Sequence, residues 1–200
     1  MSIRISVIVS GGGSNLQALI DAQEAGLLGN GKIVQVISGK ADAYALQRAA
    51  NHGIPSIVID KIRFPNEKDR NAAILSALHA ASTDLVVLAG YMNVLGPEVI
   101  SSYRDRIVNI HPALIPKYCG KGMYGAHVHR AVLAAEEKET GATVHLVDEG
   151  VDTGQILIQE RIPVLPGDTT ETLAARVLEI EHIILPAAVG QLVAEIERKK

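Results

Sequence analysis

Short β-branched runs alternate with longer segments rich in alanine and leucine, and that alternation limits the fold more than any other feature of the chain. Residues 3–9, 33–38, 56–59, 85–89 and 107–110 are short and almost continuously apolar. Such runs are strands buried on both faces. Residues 15–25, 42–51 and 67–81 carry helical spacing between them, and Gly26 and Gly53 stand where C-caps belong. Pro97 fits the first turn of a short helix through Tyr103. Parallel strands need a crossover, so strand alternating with helix implies βαβ units. The expected class is α/β, a Rossmann-like sheet that is mostly parallel and covered by helices on both faces.

The pattern changes after His111. Pro112, Pro116 and clustered glycines mark a loop-rich stretch around a helix near 128–137. Two more strands are expected at 143–147 and 155–164, for a sheet of about seven. Residues 148–154 are too short a link for a helical crossover, so this C-terminal pair should be antiparallel. Residues 169–197 suit a closing helix, disturbed near Pro186. No repeat, low-complexity stretch or linker divides the chain, so residues 1–200 are expected to form a single domain.

Composition narrows the function. One Phe, five Tyr and no Trp leave an aliphatic core, so a flat ligand would rest on aliphatic walls and backbone groups. The net charge is -3 with Lys and Arg scattered, which leaves no basic stripe for nucleic acid. Cys119 is the single cysteine; it excludes an internal disulfide and suits a reducing compartment. Residues 1–9 lack a signal-peptide pattern, and no apolar run approaches the ~20 residues that span a bilayer. A cytoplasmic protein without a membrane partner is expected.

The first strand runs into Ser10-Gly11-Gly12-Gly13-Ser14-Asn15-Leu16, and a helix follows. Glycines allow close backbone approach, and a helix N-terminus offers unpaired amides to an anion. Ser14 and Asn15 add donors and could cap the helix. The loop is either a phosphate cradle or a glycine turn with a good cap. A dinucleotide fingerprint would need a third glycine where Leu16 stands and an acid where Ser38-Gly39 follows the second strand. One terminal phosphate fits better than a pyrophosphate.

In open parallel sheets, ligands bind beyond the carboxyl ends of the strands. The fifth strand ends in Asn109-Ile110-His111-Pro112, which places Asn109 and His111 on one side, about 6–7 Å apart. An amide donor beside an imidazole suits a carbonyl that becomes an oxyanion. A structural histidine after an Asn turn would look the same. Downstream, Asp148, Glu149 and Asp152 crowd one loop, either as a solvated hairpin or with one carboxylate against His111. A carboxylate there would raise the imidazole pKa and fix its orientation.

Five segments then occur in order: Gly-Gly-Gly-Ser-Asn-Leu-Gln at 11–17, Val-Leu-Ala-Gly-Tyr-Met at 87–92, Asn-Ile-His-Pro-Ala-Leu-Ile-Pro at 109–116, Thr-Val-His at 143–145 and Val-Asp-Thr-Gly-Gln-Ile at 151–156. Together they resemble the folate-dependent formyltransferases, and the Gly-Ser-Asn loop resembles the phosphoribosylglycinamide formyltransferases among them. The resemblance spans residues 3 to about 190. It implies formyl transfer from 10-formyltetrahydrofolate to glycinamide ribonucleotide in purine biosynthesis, with no metal. It implies Asn109, His111 and Asp152 as catalytic residues and His145 as their support. Gly12, Gly13, Ser14, Asn15 and Glu181 would bind the ribonucleotide. Met92, Asn93, Val94, Leu95, Val147, Asp148, Glu149, Gly150 and Val151 would line the folate pocket.

The chain departs from the family at two places. Asn93 stands where an arginine is common, and Asn66-Glu67-Lys68 lacks an arginine often found there, which removes a cation from the folate tail. The 119–129 stretch is longer than in some relatives. His127 and His129 lie in it, but without a third ligand they do not make a metal site. Two relatives with the same chemistry make different demands. A formyl-folate hydrolase would be expected to carry an N-terminal regulatory domain, and a tRNA formyltransferase a C-terminal nucleic-acid-binding extension. A monomer or homodimer acting on small molecules is expected instead.

Overall fold

The computed structural model describes residues 2–200. Among them the strands are β1 (Ile3–Val9), β2 (Gly31–Ser38), β3 (Ser56–Val58), β4 (Leu85–Leu88), β5 (Ile107–His111), β6 (Glu139–Leu146) and β7 (Ile156–Pro163). The helices are α1 (Ser14–Glu24), α2 (Tyr44–Asn51), α3 (Glu67–Ala80), α4 (Pro97–Ser102), α5 (Ala126–Ala134) and α6 (Thr170–Arg198). Every element expected from the sequence is present, with ends displaced by a few residues.

One seven-stranded sheet runs in the order β3-β2-β1-β4-β5-β6-β7. Pairing is parallel from β3 through β5. Strand β6 is antiparallel to both β5 and β7. The short link between β6 and β7 anticipated the second of these pairings; the first has no signature in spacing. It sets Asn109 opposite His145 and His111 opposite Thr143. Strand β6 also starts four residues earlier than expected, because Glu139 to Ala142 pair with β7 although they carry no β-branched run.

Two aliphatic cores flank the sheet. One joins Val7, Val9, Leu16 and Leu19 to Val177, Leu185, Val189 and Leu192 beneath α1 and α6. The other joins Ile8, Ile74, Leu78, Val86, Leu95 and Val99 beneath α3 and α4. Helix α6 is assigned without a break through Pro186, where the sequence suggested a disturbance. A proline inside a helix costs about 3 kcal/mol. Ile184, Leu185, Val189 and Leu192 are all buried around it, and each such burial contributes roughly 1.5–3 kcal/mol. Packing therefore outweighs the broken hydrogen bond. Among the described residues α6 is also the one helix long and apolar enough to span a bilayer, by length and composition. This corrects the expectation that no run approaches that length; here half of the apolar window is buried.

Chain reversal between β1 and β4 opens a crevice at the carboxyl ends of the strands. Gly13 shapes its first wall. It is the N-cap of α1 at φ 72, and neither Ser14 nor Asn15 caps the helix as the sequence suggested. A Cβ on Gly13 would lie 2.6 Å from Cβ of Ala45. Gly13→Ala is expected to cost roughly 1–3 kcal/mol and lower Tm by several degrees. An unchanged melting curve would show that the loop can relax.

Candidate active site

The crevice is a cavity of about 740 Å³. Its wall takes Asn109 and His111 from the end of β5, His145 from β6 and Asp152 from the loop before β7. His111 is buried and Asn109 half-buried. The Nε2–H of His111 donates to the carbonyl of Tyr118 at 2.8 Å. A carbonyl only accepts, so the Tyr118 bond fixes the tautomer and leaves Nδ1 to exchange protons. That Nδ1 lies 3.7 Å from Oδ2 of Asp152.

His145 organises the opposite side. Its Nδ1–H donates to the Leu146 carbonyl at 2.8 Å, so Nε2 is free to accept from Nδ2 of Asn109 at 3.1 Å. One amide hydrogen of Asn109 is thereby held, and the other remains for a ligand. His145 Nε2 also lies 3.5 Å from Oδ1 of Asp152. The carboxylate touches both imidazoles, and its Oδ2 accepts the Gly120 amide at 2.9 Å.

These contacts separate the three acids that crowd the sequence. Asp152 sits at φ 58 and turns inward. Asp148 instead closes its own loop, accepting from the Gly150 amide at 3.0 Å and the Thr153 hydroxyl at 2.6 Å. Glu149 lies outside the cavity wall, 3.8 Å from Arg104. Burial raises the Asp152 pKa, but the His145 contact, the Gly120 amide and the charge of His111 outweigh it, so the carboxyl titrates below its usual range.

The same balance goes the other way at His111: Asp152 raises its pKa as the sequence suggested, yet the net direction is down. Burial is the largest influence and lowers it, while the Tyr118 carbonyl and Asp152 oppose that only in part. Burial therefore favours the neutral form of His111.

Asn15 and Glu181 meet in the cavity wall, where Nδ2 of Asn15 donates to Oε2 of Glu181 at 2.6 Å. Both are buried, and burial pushes the Glu181 carboxyl up. Ser14, Gly12 and Gly13 do not line the cavity. The carbonyl of Gly12 accepts from Arg48 Nε on α2 at 2.9 Å. Part of the wall is apolar: Met92, Val94 and Val151 line the cavity although each is 40% exposed or more, alongside buried Leu95. Asn93, Val147, Asp148 and Gly150 complete that wall. The Met92 amide donates to Ser10 Oγ at 3.1 Å, which ties this segment to the glycine loop.

Several contributors gave no signal in the sequence. The Tyr118 carbonyl and Gly120 amide act through backbone. Lys121 is the one lysine or arginine in the cavity wall among the described residues. His129 is buried in the wall, and burial followed by the nearby His111 lowers its pKa. His127 stacks edge-on against Tyr124 with ring centroids 5.2 Å apart. No three metal-binding side chains are grouped among the described residues.

Comparison with known proteins gives the family. Residues 3–189 match the formyl transferase family model. The trifunctional purine biosynthetic protein adenosine-3 of Drosophila melanogaster is 46% identical over 191 residues, which is 95% of this chain and 14% of that protein. The chain thus spans only a small part of that relative. The phosphoribosylglycinamide formyltransferase of Haemophilus influenzae is 41% identical over 93% of this chain and 85% of its own. The crystal structure of glycinamide ribonucleotide transformylase 1 from Symbiobacterium toebii superposes with a TM-score of 0.91 at 40% identity, covering 97% of this chain and 89% of that one.

Proposed function

From the premise that the chain belongs to the formyl transferase family, we propose that it transfers the formyl group of 10-formyltetrahydrofolate to the primary amine of glycinamide ribonucleotide. The products are formylglycinamide ribonucleotide and tetrahydrofolate, a step of purine biosynthesis. The reading is carried by one observation: Asn109, His111 and Asp152 converge in a cavity whose wall also holds a buried polar pair and exposed apolar side chains. Asn15 and Glu181, beside the glycine loop, suit the ribonucleotide. Met92, Val94, Leu95 and Val151 suit a flat pterin, since exposed apolar patches mark sites that a ligand covers. The single cysteine suits a reducing compartment and so a cytoplasmic enzyme.

Asn109 donates its second amide hydrogen to the formyl oxygen as the ribonucleotide amine adds and the carbonyl becomes a tetrahedral oxyanion. Neutral His111 takes the proton of the attacking nitrogen at Nδ1, through a water held by Asp152 where the distance requires one. The resulting imidazolium donates to the oxyanion and is balanced by the Asp152 carboxylate. His111 then delivers the proton to the folate nitrogen as its bond to carbon breaks.

The assay incubates the protein with 10-formyltetrahydrofolate, with and without glycinamide ribonucleotide. Deformylation that requires the ribonucleotide is expected; loss without it would identify a hydrolase instead. Asn15→Ala leaves the buried Glu181 without its partner, a penalty of about 1–3 kcal/mol. It should raise KM for the ribonucleotide about tenfold or more and leave KM for the folate unchanged. A change confined to the folate KM would overturn the assignment of Asn15 and Glu181 to the ribonucleotide.

A further inference from the structure

Tyr118 and Gly120 reach the reacting groups only through their backbone, so the 118–120 turn must itself be held. Tyr118 sits at φ 53, a left-handed conformation that persists where surrounding contacts enforce it. Its phenol supplies such a contact, donating to Oε1 of Glu137 at 3.0 Å. The same carboxylate oxygen accepts from Lys117 Nζ at 2.8 Å. Lys117 is 66% exposed, and exposed ion pairs contribute little. The phenol bond is therefore the tether. Glu137 lies between α5 and β6, and neither it nor Tyr118 lines the large cavity.

We infer that Glu137 is a positioning residue for formyl transfer: by anchoring the Tyr118 ring it keeps the Tyr118 carbonyl on His111 Nε2 and the Gly120 amide on Asp152. One side chain outside the cavity thus sets the tautomer of the imidazole and the orientation of its carboxylate. The inference rests on the transferase reading given above, because it assigns the effect to His111 and Asp152 as the reacting pair. Small misplacements of reacting groups reduce rates strongly, whereas substrates that never touch Glu137 should bind as before.

The test compares Glu137→Ala, Glu137→Gln, Tyr118→Phe and Lys117→Met in steady-state kinetics and in NMR titration of the His111 ring without substrates. Glu137→Ala and Tyr118→Phe should each lower kcat about 10-fold, with KM for both substrates within about twofold. Glu137→Gln keeps an acceptor for the phenol and should retain most of the rate; Lys117→Met should match the parent. The His111 titration should move to lower pH in Glu137→Ala and Tyr118→Phe, because the Tyr118 carbonyl is one of the contacts that raises it. Unchanged kcat and an unchanged His111 titration in both would overturn the inference, as would a rise in KM alone. If Glu137→Ala does not fold, Tyr118→Phe decides, since it removes only the hydroxyl. A parent protein that transfers no formyl group would defeat the transferase reading, while the NMR titration would still decide whether Glu137 positions His111.

Discussion

Asn109→Ala is expected to lower kcat by about 10²–10³-fold, the usual consequence of removing one oxyanion donor. The expectation follows from how the amide is held. One Nδ2 hydrogen is taken by His145 Nε2 at 3.1 Å, and that nitrogen can accept because Nδ1 is committed to the Leu146 carbonyl. The amide is fixed before substrate arrives, so its remaining hydrogen needs no reorganisation as charge develops. Both KM values should change little, because the interaction strengthens only in the transition state. Asn109 is half-buried and its side chain joins no apolar core, so Tm should stay near that of the parent. Single-turnover rates with normal formyl transfer would remove Asn109 from the mechanism.

Asp152→Asn should reduce kcat by about 10²–10⁴-fold, the range for a lost contribution to general acid–base catalysis. The carboxylate lies 3.7 Å from His111 Nδ1 and 3.5 Å from His145 Nε2, so its charge serves the imidazolium formed during proton transfer. The variant also predicts a pH shift of definite sign. In the parent, neutral His111 accepts the proton, so kcat rises as pH climbs through the His111 pKa. Burial holds that pKa below the ordinary 6.5. Asp152 is one of the influences that raises it, so removing the carboxylate should move the acidic limb to still lower pH. A limb that stays in place, or shifts upward, in a kcat–pH profile would show that Asp152 does not act through His111.

Most of the scaffold was legible from local patterns. The run of residues 3–9 is too apolar for anything but a buried strand, and Gly26 and Gly53 take left-handed φ after α1 and α2 as helix-ending glycines do. Pro97 opens α4. These features depend on neighbours within a few residues, which is the range over which a sequence states its own structure. Strand β6 was read short because its first half pairs with β7 without an intrinsic β signal, and the continuity of α6 through Pro186 rests on contacts with distant segments.

The site was legible in parts only. Alternation along β5 put Asn109 and His111 on one side, and the order of motifs selected Asp152 from three nearby acids. Nothing local could say that Asp148 is occupied within its own loop or that β6 returns beside β5 to bring His145 against Asn109. The Tyr118 carbonyl and Gly120 amide are invisible in a sequence, because every residue has a backbone. The net direction of the His111 pKa was hidden as well. Proximity to a carboxylate can be guessed from motifs, but the competing desolvation exists only once the surrounding layers close.

The sequence by itself therefore determined the α/β class, the strand-end position of the candidate reacting pair and the family to which the chain belongs. Only the tertiary structure decided the partners of each polar atom, the tautomer of His111 and the direction of its pKa. Periodicity and motifs act over short separations along the chain, whereas burial and hydrogen bonding depend on segments such as 109–111, 118–120 and 145–152 meeting in space.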